Sequence, residues 1–120
     1  MVKNKKLLLI GAGEFADIAY EYFTVDSEFE VVGFAVEREF LSESEKFGLP
    51  VVALEEAEEH FAPASVWAHV AVTSTKLNRV REHLVGCARD KGYSLASYIS
   101  SHAFVWRTAK LGANVFIFEN

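Results

Sequence analysis

The stretch LLLIGAGEFADIAYEYF, residues 7–23, decides the fold. Its first four residues form an uninterrupted apolar run, which is typical of a strand that is covered on both faces of a parallel sheet. Gly11 and Gly13 interrupt this run, and apolar residues then follow at helical spacing from Phe15 to Phe23. This order predicts a strand, a tight turn and a helix, which is how an α/β domain begins.

The same alternation continues along the chain. Four further apolar runs predict buried strands, at residues 29–36, 51–52, 66–72 and 93–99. Two segments with helical periodicity lie between them, at residues 54–61 and 77–91. Strands that alternate with helices predict an α/β fold, a small Rossmann-like parallel sheet with flanking helices and right-handed crossovers. We assign this domain to residues 1–102.

Composition and charge restrict the compartment and the class of partner. The 120 residues are 51% hydrophobic and carry a net charge of −5, so we expect a folded domain that does not bind nucleic acid, which requires a basic surface. The single cysteine, Cys87, excludes an internal disulfide and fits a reducing compartment. We therefore expect a cytoplasmic protein. No apolar segment is long enough to cross a bilayer, so we expect no membrane insertion.

The turn after the first strand is the first candidate site. Gly11, Gly13 and Ala16 form the pattern GxGxxA between a strand and a helix. Glycines at this place let a phosphate or a ribose approach the backbone, and the N-terminus of the helix offers free N–H groups. Gly11, Gly13, Glu14 and Phe15 are therefore candidate substrate-binding residues. A tight turn that binds no ligand would show the same pattern.

An acidic residue follows the second predicted strand. Glu37 stands where a carboxylate would accept hydrogen bonds from ribose hydroxyls in a dinucleotide site. Another nucleotide could use the same carboxylate. The glycines and Glu37 together therefore leave the choice between NAD and a different nucleotide open.

Polar residues follow the strand predicted at residues 66–72. In an open parallel sheet the ligand lies outside the carboxyl ends of the strands where the strand order reverses, so this loop should face the glycine turn. Its hydroxyls and its positive charge suit a diphosphate, and its candidate residues are Thr73, Ser74, Thr75 and Lys76. Simple capping of the following helix would equally explain any one of these hydroxyls.

Neither catalysis nor metal binding is indicated by the residue pattern. The four histidines, His60, His69, His83 and His102, have no metal-ligand partner at usable spacing, and no nucleophile and base occur together. We therefore predict no catalytic residue and no metal site in this chain.

The last residues have a period of six. Val105, Leu111 and Ile117 are aliphatic and lie six positions apart, a hexapeptide repeat typical of a left-handed parallel β-helix, in which three hexads make one coil. Residues 103–120 are therefore predicted to form the first coil of such a domain. Because one coil cannot bury its own interior, we expect a second domain to start here and to be truncated in this sequence.

Essentially the whole chain resembles a known family. In order, the segments that carry the resemblance are KKLLLIGAGEFADIAYEYF, EVVGFAVERE, GLPVVALEEAEEHF, HVAVTSTKLNRVRE and GYSLASYISSHAFVWRTAKLGANVFIFEN. They resemble the N-terminal part of the bacterial sugar O-acyltransferases of the sialic-acid O-acetyltransferase type. The resemblance implies a Rossmann-like domain that binds a sugar, often a nucleotide-linked amino sugar. It also implies a trimeric β-helix that binds acetyl-CoA and carries the catalytic histidine.

The function that this resemblance implies is acetyl transfer from acetyl-CoA to a sugar during surface-polysaccharide or glycan synthesis. The full-length protein would be a homotrimer, with acetyl-CoA bound by its β-helix, and we expect these 120 residues alone to be inactive. Two other interpretations remain open. One is a free-standing NAD-binding module with Glu37 on the adenosine ribose, and the other is an architectural domain that orients the arms of a trimer.

Overall fold

A computed structural model describes residues 3–72, 79–99, 114 and 116–117 of the chain. In chain order the elements are β1 Lys5–Ile10, α1 Glu14–Val25, β2 Phe29–Val36, β3 Glu45–Lys46, β4 Leu49–Ala53, α2 Ala57–His60, β5 Val66–Val70, α3 Arg79–Asp90, β6 Tyr98–Ile99 and β7 Phe116–Ile117. Within these residues no helix is long and apolar enough to cross a membrane.

Five of the strands form one sheet in the order β3-β4-β2-β1-β5. Strands β1, β2, β4 and β5 are parallel, and the two-residue strand β3 is antiparallel to β4. The chain builds the sheet from β1 outward through β2 to β4 and then returns to add β5 on the other side of β1. The strand order therefore reverses between β1 and β5. The predicted Rossmann-like α/β fold is confirmed.

Strand β1 explains the uninterrupted apolar run from which the fold was predicted. Its residues Leu7 to Ile10 are all fully buried. Leu7 and Leu9 pack in the cluster that contains the buried face of α1, whereas Leu8 and Ile10 pack in the cluster beneath α2 and α3. Because both faces of the strand are covered by helices, neither face can be polar.

Three segments differ from the pattern expected from the sequence. Residues 54–61 form a 3₁₀ turn, Leu54–Glu56, followed by only the four-residue helix α2. The polar residues before β4 form a hairpin whose turn, Phe47 and Gly48, has φ values of +54° and +78°. Residues 93–99 were predicted as one strand. Instead, Leu95 forms a single bridge with Ala68 of β5, and Tyr98 and Ile99 pair with β7.

Candidate functional site: the crevice between β1 and β5

Gly11 is held in a tight contact between the ends of the two central strands. Its φ is +125°, and a Cβ added there would lie 2.7 Å from the carbonyl oxygen of Ala71. Its N–H donates to the carbonyl oxygen of Ala35 at the end of β2, 2.8 Å away. Only glycine combines this φ with such a close approach. The folded backbone itself therefore requires glycine at this position.

Gly13 has no such constraint. It is the N-cap of α1, with an ordinary φ of −85°, and a Cβ added there would meet no heavy atom of the described residues within 4 Å. The residue is exposed. Among the described residues, none fills the space in front of its Cα, so the part of the chain that the structure describes leaves the first turn of α1 accessible at this point.

The other two residues proposed from the turn lie in different surroundings. Glu14 is exposed at the first position of α1, where a carboxylate is favourable toward the helix dipole. Phe15 is half-buried and packs against the core cluster on the α1 side of the sheet. Core packing is sufficient to explain an aromatic residue at Phe15. Contact of Glu14 or Phe15 with a substrate stays a prediction.

A cavity of about 280 Å³ opens beside Gly13. Its lining is apolar at the end of β2 and the middle of β4 and polar at the residues before the hairpin. It consists of Ala12, Gly13, Val36, Phe40, Ser42, Glu43 and Val51. The volume is close to the lower end of small-molecule sites, about 300 Å³. Phe40, Ser42 and Glu43 were not among the residues proposed from the sequence, because the polar stretch that contains them has no periodicity.

Glu37 lies at the carboxyl end of β2, as the sequence suggested, but its carboxylate faces α3. Its Oε2 lies 3.1 Å from Nε2 of His83, with the Glu37 side chain 25% exposed. The neighbouring Val36 lines the cavity beside Gly13. The Cys87 Sγ lies 3.7 Å from the same His83 nitrogen, and burial raises the pKa of the Cys87 thiol. The sequence alone could not predict that Glu37 pairs with His83, because the two residues are 46 positions apart.

The residues proposed for the opposite side of the crevice, Thr73, Ser74, Thr75 and Lys76, lie outside the described residues. The described residues that precede them, at the end of β5, lie beside the glycine turn. Ala71 donates its N–H to the carbonyl oxygen of Ile10, 2.8 Å away, which places the end of β5 against the glycine turn. Binding of a ligand by these four residues stays a prediction.

The outer edge of β5 is closed by a residue that sequence reasoning did not single out. Asn114 is 1% exposed and has a φ of +59°. Its side-chain amide forms two hydrogen bonds with the backbone of Val70, and its carbonyl oxygen accepts a hydrogen bond from the guanidinium of Arg81. Most of the predicted first coil, residues 103–120, lies outside the described residues.

The two short strands near the C-terminal end of the described residues, β6 and β7, pair in parallel. Tyr98 pairs with Phe116, and Ile99 pairs with Ile117, so each residue of β6 lies beside the residue eighteen positions later in β7. Eighteen residues is the length of three hexads. The offset is the one expected between successive coils of a β-helix.

Comparison with known proteins places the fold. No family model and no curated protein matches the sequence. The acetyltransferase domain of PglB from Neisseria gonorrhoeae FA1090 superposes with a TM-score of 0.78 and 26% identity, covering 97% of this chain and 54% of that one. The chain shares the fold of this acetyltransferase domain.

A second acetyltransferase gives a similar result. A variant of perosamine N-acetyltransferase from Caulobacter crescentus, in complex with CoA and GDP-perosamine, matches with a TM-score of 0.72 and 24% identity over 99% of this chain and 54% of that one. The resemblance to the N-terminal part of sugar acetyltransferases that the sequence indicated is confirmed. The chain spans about half the length of both solved structures.

The Rossmann-like fold also matches a protein of a different class. RSP, a Rex-family repressor, superposes with a TM-score of 0.61 and 16% identity over 98% of this chain and 53% of its own. At this identity the likeness concerns the fold alone.

Proposed function

We propose that this chain is the acceptor-binding part of an enzyme that transfers acetyl from acetyl-CoA to a nucleotide-linked sugar. The observation that carries the proposal is the likeness to the PglB acetyltransferase domain over 97% of the chain at 26% identity. The perosamine N-acetyltransferase structure, which contains CoA and GDP-perosamine, supports both the sugar and the nucleotide. The pathway would be surface-polysaccharide or glycan synthesis.

The crevice would hold the nucleotide. The first turn of α1 behind Gly13 offers N–H groups and the positive end of the helix dipole to a diphosphate. The cavity beside it has apolar walls at Val36 and Val51 and an aromatic ring at Phe40, which suit the flat face of a nucleobase or a ribose. Lys76 and the hydroxyls before it would complete the phosphate contacts from the β5 side.

The chain's residues would bind and orient the acceptor rather than perform the transfer. Acetyl-CoA would supply the acetyl group, and the family resemblance implies that its site and the catalytic histidine lie in the β-helix. The eighteen-residue offset between β6 and β7, the length of three hexads, supports a β-helix that starts in this part of the chain. Trimer formation would depend on the same domain.

The test is ligand-dependent stabilisation of the chain. A nucleotide-linked sugar present at a hundred times its Kd should stabilise the fold by about 2.7 kcal/mol. Thermal unfolding should be recorded with UDP-, GDP- and dTDP-linked amino sugars, with the free sugars as controls. A shift with nucleotide-linked sugars and none with free sugars is expected. Absence of a shift with every nucleotide-linked sugar would contradict the proposal.

The alternative function is NAD binding, which the fold of RSP in complex with β-NADH weakly favours, at a TM-score of 0.57. In that case Glu37 would contact the adenosine ribose. An NADH-induced shift that is lost in Glu37→Ala, together with no response to nucleotide-linked sugars, would replace the sugar proposal by this one.

A further inference from the structure

The outer edge of β5 is completed by side chain as well as by backbone. At Ala68, the N–H donates to the carbonyl oxygen of Ser94 at 2.9 Å, and the carbonyl oxygen accepts from the N–H of Ala96 at 2.8 Å. Two residues further, Val70 is bonded by the Asn114 amide: Oδ1 accepts from the Val70 N–H at 2.5 Å, and Nδ2 donates to the Val70 carbonyl oxygen at 3.1 Å. The amide therefore takes the place of a neighbouring strand at the carboxyl end of β5.

Asparagine suits this place for two reasons. Its amide carries a donor and an acceptor together, so one side chain can satisfy both backbone groups of Val70. Asparagine also tolerates the left-handed region better than most residues, and the φ of Asn114 is +59°. Since the residue is 1% exposed, water does not replace these bonds.

The backbone of the same residue reaches the next helix. The carbonyl oxygen of Asn114 accepts a hydrogen bond from the guanidinium of Arg81, which lies in the first turn of α3. Asn114 thus joins the end of β5 to the beginning of α3. These are the two elements that border the crevice on the side opposite the glycine turn.

The end of β5 in turn positions the glycine turn. Ala71, the residue after Val70, donates its N–H to the carbonyl oxygen of Ile10. The carbonyl oxygen of Ala71 lies so close to Gly11 that a Cβ added there would be only 2.7 Å from it. A displacement of the β5 end therefore moves the backbone that faces a ligand in the crevice. Asn114 acts on the crevice through Val70 and Ala71.

We propose that Asn114 is a positioning residue for the nucleotide site, which it serves by holding the end of β5 and the start of α3 in the arrangement that the ligand requires. The inference rests on the proposed function, and it assigns a role in acceptor binding to a residue of the segment predicted to belong to the β-helix. Asn114 itself need not touch the ligand.

The decisive variant is Asn114→Gly. Glycine accepts the positive φ, so this change removes the amide without adding backbone strain, whereas alanine would do both. Tyr98→Phe is the matched control. It removes a partly buried hydrogen bond from the Tyr98 hydroxyl to Asp26, 2.7 Å long, at the C-terminal end of α1 and away from the crevice.

Two measurements on the full chain test the proposal. Amide hydrogen exchange should become faster at Val70 in Asn114→Gly but stay slow at Ala68, whose bonds do not involve Asn114. Calorimetric titration with GDP and with UDP should show about tenfold weaker binding in Asn114→Gly, a change of ~1.4 kcal/mol. Tyr98→Phe should lower the melting temperature and leave both affinities unchanged.

The outcomes separate this inference from the proposed function. If the wild type binds the nucleotides and Asn114→Gly binds them with the same affinity, the positioning role is overturned and the proposed function stands. The same holds if Tyr98→Phe weakens nucleotide binding as much as Asn114→Gly does. No binding of either nucleotide or of nucleotide-linked sugars by the wild type overturns both. If Asn114→Gly does not fold, Asn114→Asp decides, since it retains an acceptor for the Val70 N–H and loses the donor. Its affinity should fall, and an unchanged affinity overturns the role.

Discussion

The edge of the sheet around the glycine turn, where the parallel strands end, has two regions that differ in how tightly they are packed. The packed floor consists of Gly11 and Ala71, whose backbones are in close contact and where Ala71 is buried. The open rim consists of Gly13, Glu37 and Phe40, which border solvent or the cavity. Gly11 and Gly13 are two positions apart in one motif, yet only the first is required by the fold.

The two glycines of one sequence motif therefore have different roles: one is required by the packing of the backbone, and the other leaves space for a ligand. A residue in the packed floor is needed whether or not a ligand binds, because its neighbours leave no room for another side chain. A residue in the open rim is not constrained by the fold, so a requirement for glycine there would come from a ligand. Substitutions in the floor should therefore change stability, and substitutions in the rim should change ligand binding.

The largest effect is expected for Gly11→Ala. The new Cβ would overlap the Ala71 carbonyl oxygen, and the φ of +125° is one that alanine rarely adopts. We expect the free energy of unfolding to fall by about 3 kcal/mol or more. Urea unfolding measures it, and Gly13→Ala is the control, with an expected loss below about 1 kcal/mol. Equal losses in the two variants would remove the distinction between floor and rim.

Acid should weaken the core on the α1 side of the sheet through His69, whose buried ring packs against Phe23. Burial lowers the pKa of His69 to about 4 from an ordinary value of 6.5. Between these values the unfolded chain binds more protons than the folded one, so stability falls as the pH is lowered from 6.5 toward 4. The loss should total about 3 kcal/mol.

The measurement is urea unfolding of the wild type and of His69→Gln at pH 7, 6, 5 and 4. The variant lacks the ionisable ring, so its stability should depend less on pH across this range. Parallel pH profiles for the two proteins would show that His69 is not the group responsible.

Gly13→Val tests the open rim. A Cβ at Gly13 meets no atom of the described residues within 4 Å, so we expect the stability of the unliganded protein to change by less than about 1 kcal/mol. The branched side chain would block approach of a diphosphate to α1. The stabilisation of about 2.7 kcal/mol expected from a saturating nucleotide-linked sugar should therefore be lost, together with a melting shift of several degrees. A variant that retains the full shift would place the ligand elsewhere.

The smallest effect is expected for His83→Ala. The His83 side chain is 58% exposed where it meets Glu37, so solvent screens the pair. The free energy of unfolding should change by less than about 1 kcal/mol at pH 7. Chemical denaturation of this variant and of Glu37→Gln gives the comparison. A loss of unfolding free energy as large as that of Gly11→Ala would show that the fold depends on this pair, contrary to its assignment to the open rim.

The elements that could be predicted depend on contacts near in sequence. The apolar run of β1 and the helical spacing of α1 indicated their surroundings directly, and β2 has the predicted bounds, Phe29–Val36. The hairpin before β4 was not foreseen, because Phe47 is an unusual residue at a positive φ. Its ring stacks on Tyr20 with centroids 4.4 Å apart, a tertiary contact that offsets the strain.

The sequence by itself determined the α/β class, the glycine turn and the position of Glu37 at the end of a strand. These follow from periodicity and from the conformational freedom of glycine, which act over a few residues. Only the tertiary structure decided that Gly11 and not Gly13 is required by packing, that the Glu37 carboxylate faces His83, and that Asn114 closes β5 from 44 positions away. Hydrogen bonds and close approaches between distant segments depend on where the folded backbone brings them together, and no local pattern of residues records that.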